Sequence, residues 1–247
     1  MPQSRVLPLL LLLCGAPAAA ETAAELPRLP EPAGLARFIQ PPDTVAAPLV
    51  IMLPDALGED GRSEPYVGSL LARGIASLVL GLGEDLDTPA SAIEPAASPD
   101  AIGPALAWAR ANGFDPARIG LLGFGLGGRA ALAGADAQPT VALYPGCHGL
   151  PATAAPAVLV VQGSDSAQGC DEHLAPAAIE IRMLQGAGHG WDAPGAIWPS
   201  PGPVLPDPAG PGRLRARADL DATLAAAEAV ADWFEARLLA GQRSAAR

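Results

Sequence analysis

The hexapeptide Gly123-Phe-Gly-Leu-Gly-Gly128, within RIGLLGFGLGGRAAL (118–132), decides between two architectures. Its glycines match G-x-G-x-x-G, the turn that opens a helix onto the pyrophosphate of a dinucleotide. They also match G-x-[nucleophile]-x-G-G, a sharp strand-to-helix turn that carries a reactive side chain. In the second interpretation a glycine, Gly125, stands where the nucleophile belongs.

The rest of the chain alternates between apolar, strand-like runs and helical patterns. We predict strands at 47–54, 75–82, 118–125, 140–146, 156–163 and 178–184, and helices at 63–74, 99–113, 127–134 and 216–241. This alternation predicts an α/β fold, a mostly parallel sheet with helices on both faces. We expect one domain over 47–241, an exposed N-terminal arm at 21–46, and a stiff, solvent-exposed, proline-rich loop at 198–212.

The position of the glycine turn argues against a dinucleotide site. Such a site normally lies in the first strand–helix–strand unit, and an acidic residue ends the next strand. Here two strands precede the turn, and the following strand, TVALYPG (140–146), ends without Asp or Glu. We therefore favour the elbow interpretation and expect no cofactor.

An elbow of this kind requires an acid after one later strand and a histidine after another. Asp165 follows the strand in PAVLVVQGSD, and His189 follows the next strand in AIEIRMLQGAGHGWD. The carboxyl ends of parallel strands share one edge of the sheet, so these loops are expected to converge on the elbow. We expect Asp165 to pair with His189 there.

These motifs resemble the dienelactone hydrolase family of the α/β-hydrolase superfamily, over roughly residues 47–192. The family pattern RIG-x-x-G-[FW]-[CS]-x-GG fits the elbow except at Gly125, and LYPG follows the next strand. V-x-G-x-D fits the acid, and G-x-G-H-G-[FW]-D fits the histidine. The resemblance implies an α/β-hydrolase fold acting on ester or lactone bonds, with Asp165 as the triad acid and His189 as the base.

The resemblance also implies the surroundings of the elbow. The backbone N–H groups of Leu126 and of Ala56, in the PDALG turn, match the two donors of an oxyanion hole. Asp55 matches an acidic residue that precedes the second donor. Trp191, together with the proline-rich loop, is expected to shape the mouth of a pocket.

Gly125 departs from the family pattern, which has Ser or Cys at this position. Glycine has no side chain, so an acyl-enzyme cannot form there, and the nearest candidates, Ser164 and Cys147, lie on neighbouring strand-end loops. Glycine also relieves the strain of an elbow turn. Loss of the nucleophile can therefore stabilise the fold.

The first twenty residues are typical of a cleaved signal peptide. Arg5 is the only charge, an apolar run follows, and small residues precede Glu21. The run is too short to span a membrane, so we predict an exported protein, periplasmic or secreted, without stable membrane insertion. Cys14 leaves a lipid anchor open as an alternative.

Charge and cysteine content narrow the partners. The net charge of −11 argues against nucleic acid, and all 15 basic residues are Arg, which excludes Schiff-base chemistry. In an exported protein, Cys147 and Cys170 form an even pair and predict one disulfide. A zinc site built from these cysteines with His148 and His173 is the less favoured alternative, and we expect no metal.

Three hypotheses for the function remain. The first is a degenerate hydrolase, a pseudoenzyme that binds a small carbonyl or carboxylate ligand at the amides of the turn. The second is a weak ester or lactone hydrolase, in which Asp165 and His189 activate a water in the space that Gly125 leaves. The third is an envelope interaction module without pocket function. Hydrogen bonding between His189 and Asp165 beside an open pocket would favour the first two, and a filled space at Gly125 the third.

Overall fold

A computed structural model describes residues 24–42, 47–83, 94–146, 148–149, 153–166, 179–194 and 202–240. Eight of its strands form one sheet: β1 Ala24–Glu25, β2 Ala36–Ile39, β3 Leu49–Leu53, β4 Ala76–Leu80, β5 Ile119–Phe124, β6 Thr140–Leu143, β7 Val158–Gly163 and β8 Ile179–Leu184. Two more form a separate hairpin: β9 Val204–Pro206 and β10 Arg213–Arg215. The α-helices are α1 Glu64–Leu71, α2 Ile102–Ala111, α3 Leu126–Gly134 and α4 Leu220–Leu238.

The strand order of the main sheet is β1-β2-β4-β3-β5-β6-β7-β8. Strands β3 to β8 run parallel, and β1 and β2 join antiparallel at one edge. Every residue of β3, β4, β5, β6 and β7 is buried, which explains why their sequences are mostly apolar. β3 and β5 are central neighbours, with Leu53 paired to Gly123, so the residues that follow them lie side by side.

Helices cover both faces of the sheet, as the alternating pattern predicted. Buried residues of α1 and α4, including Leu70 and Phe234, share one hydrophobic cluster. Residues of α2 and α3, including Ala105 and Ala131, share a second cluster. The predicted fold class, a mostly parallel sheet between two layers of helices, is confirmed.

The prediction of an exposed arm at 21–46 is wrong for the residues that the structure describes. β2 pairs antiparallel with β4 and thereby extends the sheet. Phe38 and Ile39 are buried, and the ring of Phe38 packs edge-on against Trp108, with 5.1 Å between ring centroids. The four-residue strand ARFI is too short to show a periodic pattern, and its stability comes from tertiary contacts.

The proline-rich stretch is also not a solvent-exposed loop over its described part, 202–212. β9 pairs with β10, and Leu205 is fully buried in a small cluster with Ala193 and Ala216. Pro206 lies at the end of a two-stranded edge, where a missing N–H is tolerated. This hairpin packs against the loop that carries His189, since Gly190 lies close to Leu205 and Ala216.

Several predictions fall outside the described residues. These are the signal peptide with Cys14, the disulfide between Cys147 and Cys170, and His173 of the alternative zinc site. Among the described residues there is no helix with the length and apolarity needed to cross a membrane, and no group of three His, Cys, Asp or Glu side chains arranged to hold a metal ion.

Replacing Gly123 with alanine is expected to destabilise the fold by about 1–3 kcal/mol or more. A Cβ at this position would collide with the carbonyl oxygen of Gly127, because α3 packs directly on β5. Gly68→Ala, on the exposed side of α1 with open space around it, is the matched control and should stabilise the fold by up to about 1 kcal/mol. Urea denaturation of both variants tests the prediction, and equal effects would contradict it.

Candidate active site at the elbow

The glycine hexapeptide forms a strand–turn–helix elbow. β5 ends at Phe124, α3 begins at Leu126, and Gly125 between them has φ 50° and ψ −112°. Side chains rarely adopt this conformation, and it is the strained turn expected of a nucleophile elbow. The backbone of the elbow is therefore present, and its side chain is absent.

The Asp55 carboxylate fills the space beside Gly125. Asp55 follows β3, the neighbour of β5, and is fully buried. A Cβ placed on Gly125 would lie 2.6 Å from both carboxylate oxygens of Asp55. The position that a nucleophilic side chain would enter is thus taken by an acidic side chain from the adjacent strand.

The two predicted oxyanion donors converge on one atom of that carboxylate. The N–H of Ala56 donates to Asp55 Oδ1 at 2.8 Å, and the N–H of Leu126 donates to the same oxygen at 3.2 Å. Leu126 is the first residue of α3, so the positive end of the helix dipole also favours negative charge here. The site is built to hold an anionic oxygen, and the chain supplies that oxygen itself.

Arg62 is the counter-charge of Asp55. Its side chain is only 1% exposed. Its Nη1 donates to Asp55 Oδ2 at 3.3 Å and to the Tyr144 hydroxyl at 3.2 Å, while Nε and Nη2 bind both oxygens of Asp60 at 2.8 and 2.6 Å. Within the described part of the chain, the second oxygen of Asp55 is therefore held by a single hydrogen bond, in contrast to Oδ1.

Tyr144 links Arg62 to a second buried acid, Asp192. The Tyr144 hydroxyl donates to Asp192 Oδ1 at 2.6 Å, the Tyr66 hydroxyl donates to Oδ2 at 2.8 Å, and Trp191 Nε1 donates to the Tyr66 hydroxyl at 3.2 Å. Tyr144 has φ 38°, an uncommon value for a side chain, at the end of β6. Backbone strain of this kind accompanies sites that need a side chain in one fixed place.

Trp191 was expected at the mouth of a pocket, and the structure corrects this. The residue is fully buried, and its ring packs edge-on against Tyr144, with 4.7 Å between centroids. The indole therefore packs against Tyr144 and donates to Tyr66, and so stabilises the hydrogen-bond network around Asp192. The aromatic position in the motif fits a core role because its N–H finds a partner in the interior.

His189 lies close to this network but makes no side-chain hydrogen bond among the described residues. It is 6% exposed, its Nε2 is buried without a partner, and its ring packs against Tyr144, with 5.0 Å between centroids. Burial lowers the pKa of His189, and Arg62 lowers it further, although the charge of Asp55 acts in the opposite direction. At neutral pH the imidazole is uncharged and can accept a proton.

The predicted pairing of Asp165 with His189 is not present in the described part of the chain. The Asp165 carboxylate lies on the surface, and its Oδ2 binds Arg217 at 3.0 Å. Arg217 also donates to the carbonyl of Gly186 at 2.8 Å, and its backbone N–H donates to the carbonyl of His189 at 3.0 Å. Arg217 thus holds the acid beside the histidine loop but away from the imidazole.

Asp192→Asn is expected to remove a pH dependence of stability. Burial raises the pKa of Asp192 from its ordinary 3.8 to about 6. The folded state therefore holds this proton more tightly than the unfolded chain. Its stabilising contribution is fully present below pH 3.8 and is lost as the pH rises through about 6.

The loss between pH 4 and pH 7 should be smaller in Asp192→Asn than in the wild type by up to roughly 3 kcal/mol. Urea denaturation across this range measures the difference. Asp100→Asn, at an exposed position, is the control and should follow the wild type. Parallel curves for Asp192→Asn and the wild type would contradict the assignment.

Several solved structures share the fold of this chain. A dienelactone hydrolase-like promiscuous phosphotriesterase from metagenomic libraries matches with a TM-score of 0.62 at 18% identity, over 87% of this chain and 98% of that chain. A protein of Klebsiella pneumoniae assigned as a dienelactone hydrolase matches with a TM-score of 0.63 at 20% identity, over 87% and 99%. The dienelactone hydrolase of Anabaena variabilis gives 0.57 at 14% identity, over 89% and 100%.

The chain therefore has the α/β-hydrolase fold in its dienelactone hydrolase-like form, as the motifs predicted. No protein-family model and no curated protein sequence matches the chain. Identities of 20% or less show the fold alone, so the chemistry has to be argued from the elbow itself.

Sequence reasoning missed the partners that surround Asp55. Arg62 lies outside every motif, in the loop before α1, and contacts Tyr144 across 82 positions of sequence. Tyr144 and Asp192 stood within the quoted LYPG and G-x-G-H-G-[FW]-D motifs, and this was the available signal. The sequence gives no signal that Arg62 is buried, because its partners are set by the tertiary structure.

Proposed function

We propose that this chain is a hydrolase-fold protein that has lost acyl-enzyme chemistry and binds a small neutral organic ligand against the Asp55 carboxylate. The observation that carries the proposal is that Asp55 Oδ1 accepts the N–H groups of both Ala56 and Leu126. The place where an oxyanion would be stabilised is held by the chain's own charge. With glycine at position 125, no side chain forms an acyl-enzyme there.

The chemistry of the ligand is inferred from the hydrogen-bonding groups beside Gly125 that remain available to it. Each N–H donates one hydrogen bond, so a ligand carbonyl or carboxylate oxygen finds no free donor while Asp55 stays in place. A second anion would also meet the charge of Asp55 in a buried setting, where repulsion is strong. Asp55 Oδ2 and His189 Nε2 instead suit a neutral ligand that brings polar hydrogens or an electron-poor carbon. The proposed ligand therefore differs from the sequence-based expectation, in which a carbonyl or carboxylate oxygen accepts these two N–H groups.

The water mechanism has less support. It needs space beside Gly125, a free oxyanion hole and an Asp165–His189 pair. The carboxylate of Asp55 occupies the first two, and Asp165 is bound to Arg217. A filled space beside Gly125 was the condition expected for the third hypothesis, an interaction module. Here, however, the space is filled by the hydrogen-bonded carboxylate of Asp55 and not by apolar side chains. No described surface favours that third hypothesis, since 204–206 and 213–215 form a packed hairpin.

The experiment compares benzamide with benzoate, two probes of the same shape that differ in charge. Benzamide is expected to raise the melting temperature of the wild type, and benzoate is not, because Asp55 holds the donors. Asp55→Ala frees both N–H groups and should reverse this preference. Stabilisation of the wild type by benzoate would mean that Asp55 leaves the hole, and the anionic ligand would be the correct one. Binding of neither probe to either protein would count against a ligand site at the elbow.

We also propose export and a disulfide between Cys147 and Cys170, both on the sequence arguments above. A mature N-terminus at Glu21, found by mass spectrometry of protein from the cell envelope, is the expected result. Thiol labelling before and after reduction measures the bridge, and two free thiols in the exported protein would contradict it. A lipid on Cys14 would appear as a larger N-terminal mass.

A further inference from the structure

We propose that Asp55 is a carboxylate nucleophile and that the neutral ligand is an alkyl electrophile, which the site hydrolyses through an aspartyl ester. This deepens the proposed function and rests on it. Asp55 presents two different oxygens: Oδ1 is fixed by the N–H groups of Ala56 and Leu126, and among the described residues Oδ2 is held only by Arg62, at 3.3 Å. Oδ2 lies 2.6 Å from the position of a Cβ on Gly125, where an elbow nucleophile begins.

The geometry selects displacement at a saturated carbon over attack on an acyl carbon. Attack on an acyl group creates an oxyanion on the substrate, and the donors that would stabilise it are already bound to Asp55 Oδ1. Displacement at a saturated carbon places the negative charge on the leaving group instead. It needs a carboxylate with one free oxygen lone pair, which Oδ2 provides.

In the first step Asp55 Oδ2 attacks the carbon of an alkyl halide. A carbon–oxygen bond forms, the carbon–halogen bond breaks, and the halide leaves with the bonding electron pair. The product of this step is an alkyl ester of Asp55. Its carbonyl oxygen is Oδ1, which already lies between the two N–H donors.

In the second step a water attacks the Cγ of Asp55, and one of its protons passes to His189 Nε2. The electron pair of the carbonyl moves to Oδ1, where Ala56 and Leu126 stabilise the charge. The bond from Cγ to the alkyl oxygen then breaks, and His189 returns the proton to the alcohol. Asp55 regains its carboxylate and releases one proton, so the alkyl halide and water yield alcohol, halide and a proton.

His189 is suited to this second step. Its Nε2 is buried without a hydrogen-bond partner, and an unpaired buried acceptor calls for a functional explanation. Its ring is fixed by the contact with Tyr144, which also binds Arg62, the counter-charge of Asp55. Burial lowers the pKa of His189, which keeps the nitrogen free to accept a proton. The groups that the two steps need thus belong to one connected cluster.

The decisive experiment traps the ester and locates it. The purified full chain is incubated with 1-bromobutane in three forms: the wild type, His189→Gln and Asp55→Asn. Trypsin cleaves after Arg37 and Arg62, so Asp55 lies on the single peptide 38–62. His189→Gln is expected to accumulate a butyl ester on Asp55 with a stoichiometry approaching one per chain, and Asp55→Asn is expected to carry none.

The same peptide contains the matched control. Glu59 and Asp60 also lie on it, and the side chain of Asp60 is 26% exposed. Fragmentation that places the label on Asp60 or Glu59 as often as on Asp55 would mean random surface alkylation and would overturn the proposal. In water labelled with heavy oxygen, one wild-type turnover should leave the heavy atom in Asp55 and the unlabelled oxygen in the alcohol. Heavy oxygen in the alcohol after that turnover would also overturn it.

Failure of this proposal differs from failure of the proposed function. If benzamide stabilises the wild type and no alkyl ester ever appears on Asp55, the chain binds neutral ligands and Asp55 is not a nucleophile. If neither probe binds and no ester appears, the ligand site itself is wrong. Thermal melting of Asp55→Asn and His189→Gln shows whether an absent ester reflects unfolding. Asn and Gln are close in size to the side chains that they replace, so both variants are expected to fold.

Discussion

Arg62→Met is expected to destabilise the protein by roughly 3–5 kcal/mol, because it leaves the buried carboxylate of Asp55 without its counter-charge. The guanidinium binds Asp55, Asp60 and the Tyr144 hydroxyl, and its side chain is 1% exposed. Methionine fills much of the same volume, so the loss reflects charge and hydrogen bonds more than packing. Urea denaturation at neutral pH measures the change.

Two further variants separate charge compensation from simple loss of an arginine. Asp55→Asn combined with Arg62→Met removes both partners of the buried pair, and should recover at least about 1 kcal/mol of the loss. Arg73→Met is the surface control: Arg73 also binds several acids, among them Glu228 and Asp232, which are 62% and 67% exposed. Its expected cost is about 0–1 kcal/mol. Equal losses at positions 62 and 73 would contradict the buried-network argument.

The sequence was sufficient to predict which site residues follow neighbouring strands of the sheet and therefore lie close together. Asp55 and Ala56 follow β3, and Gly125 follows β5; in a parallel sheet these neighbours must meet at one edge. Glycines 123 and 127 allow α3 to pack closely on the sheet, since a Cβ at position 123 would collide with the backbone of Gly127 and one at position 127 with the carbonyl of Pro54. The order of strands and loops therefore located the elbow, and the resemblance to dienelactone hydrolases supplied its two N–H donors.

The sequence was insufficient to predict the hydrogen-bond partners of side chains that have several candidate partners within reach. Asp165 follows β7 and lies near the histidine loop, as expected, since its N–H donates to the carbonyl of Ala187 at 3.1 Å. Its carboxylate nevertheless binds Arg217, 52 positions away, because that guanidinium also reaches a carbonyl of the same loop. Such choices depend on loop conformation, which no periodic pattern encodes. The same holds for Arg62, which binds Asp55 and Asp60 of its own loop and Tyr144, 82 positions away.

Gly125→Ser combined with Asp55→Ala is expected to form an acyl-enzyme, which the wild type cannot do and Gly125→Ser does far more slowly. In Gly125→Ser alone, the new Cβ would lie 2.6 Å from both carboxylate oxygens, and the hole would stay occupied. Asp55→Ala removes the collision and frees the N–H groups of Ala56 and Leu126. Each such donor is worth roughly 10²–10³ in rate, so the double variant should acylate at least about 100-fold faster than Gly125→Ser.

A burst of nitrophenol from p-nitrophenyl acetate, with one acetyl group per chain by mass, is the expected readout. Gly125→Ala with Asp55→Ala is the matched control, because it has the same space and no hydroxyl. Asp165 remains bound to Arg217, so the acetyl group should leave slowly, and adding Arg217→Gln should speed its release by freeing the acid to orient His189. A burst from Gly125→Ser alone would show that Asp55 does not hold the hole, whereas an inert but folded double variant would show that the two amides no longer form one.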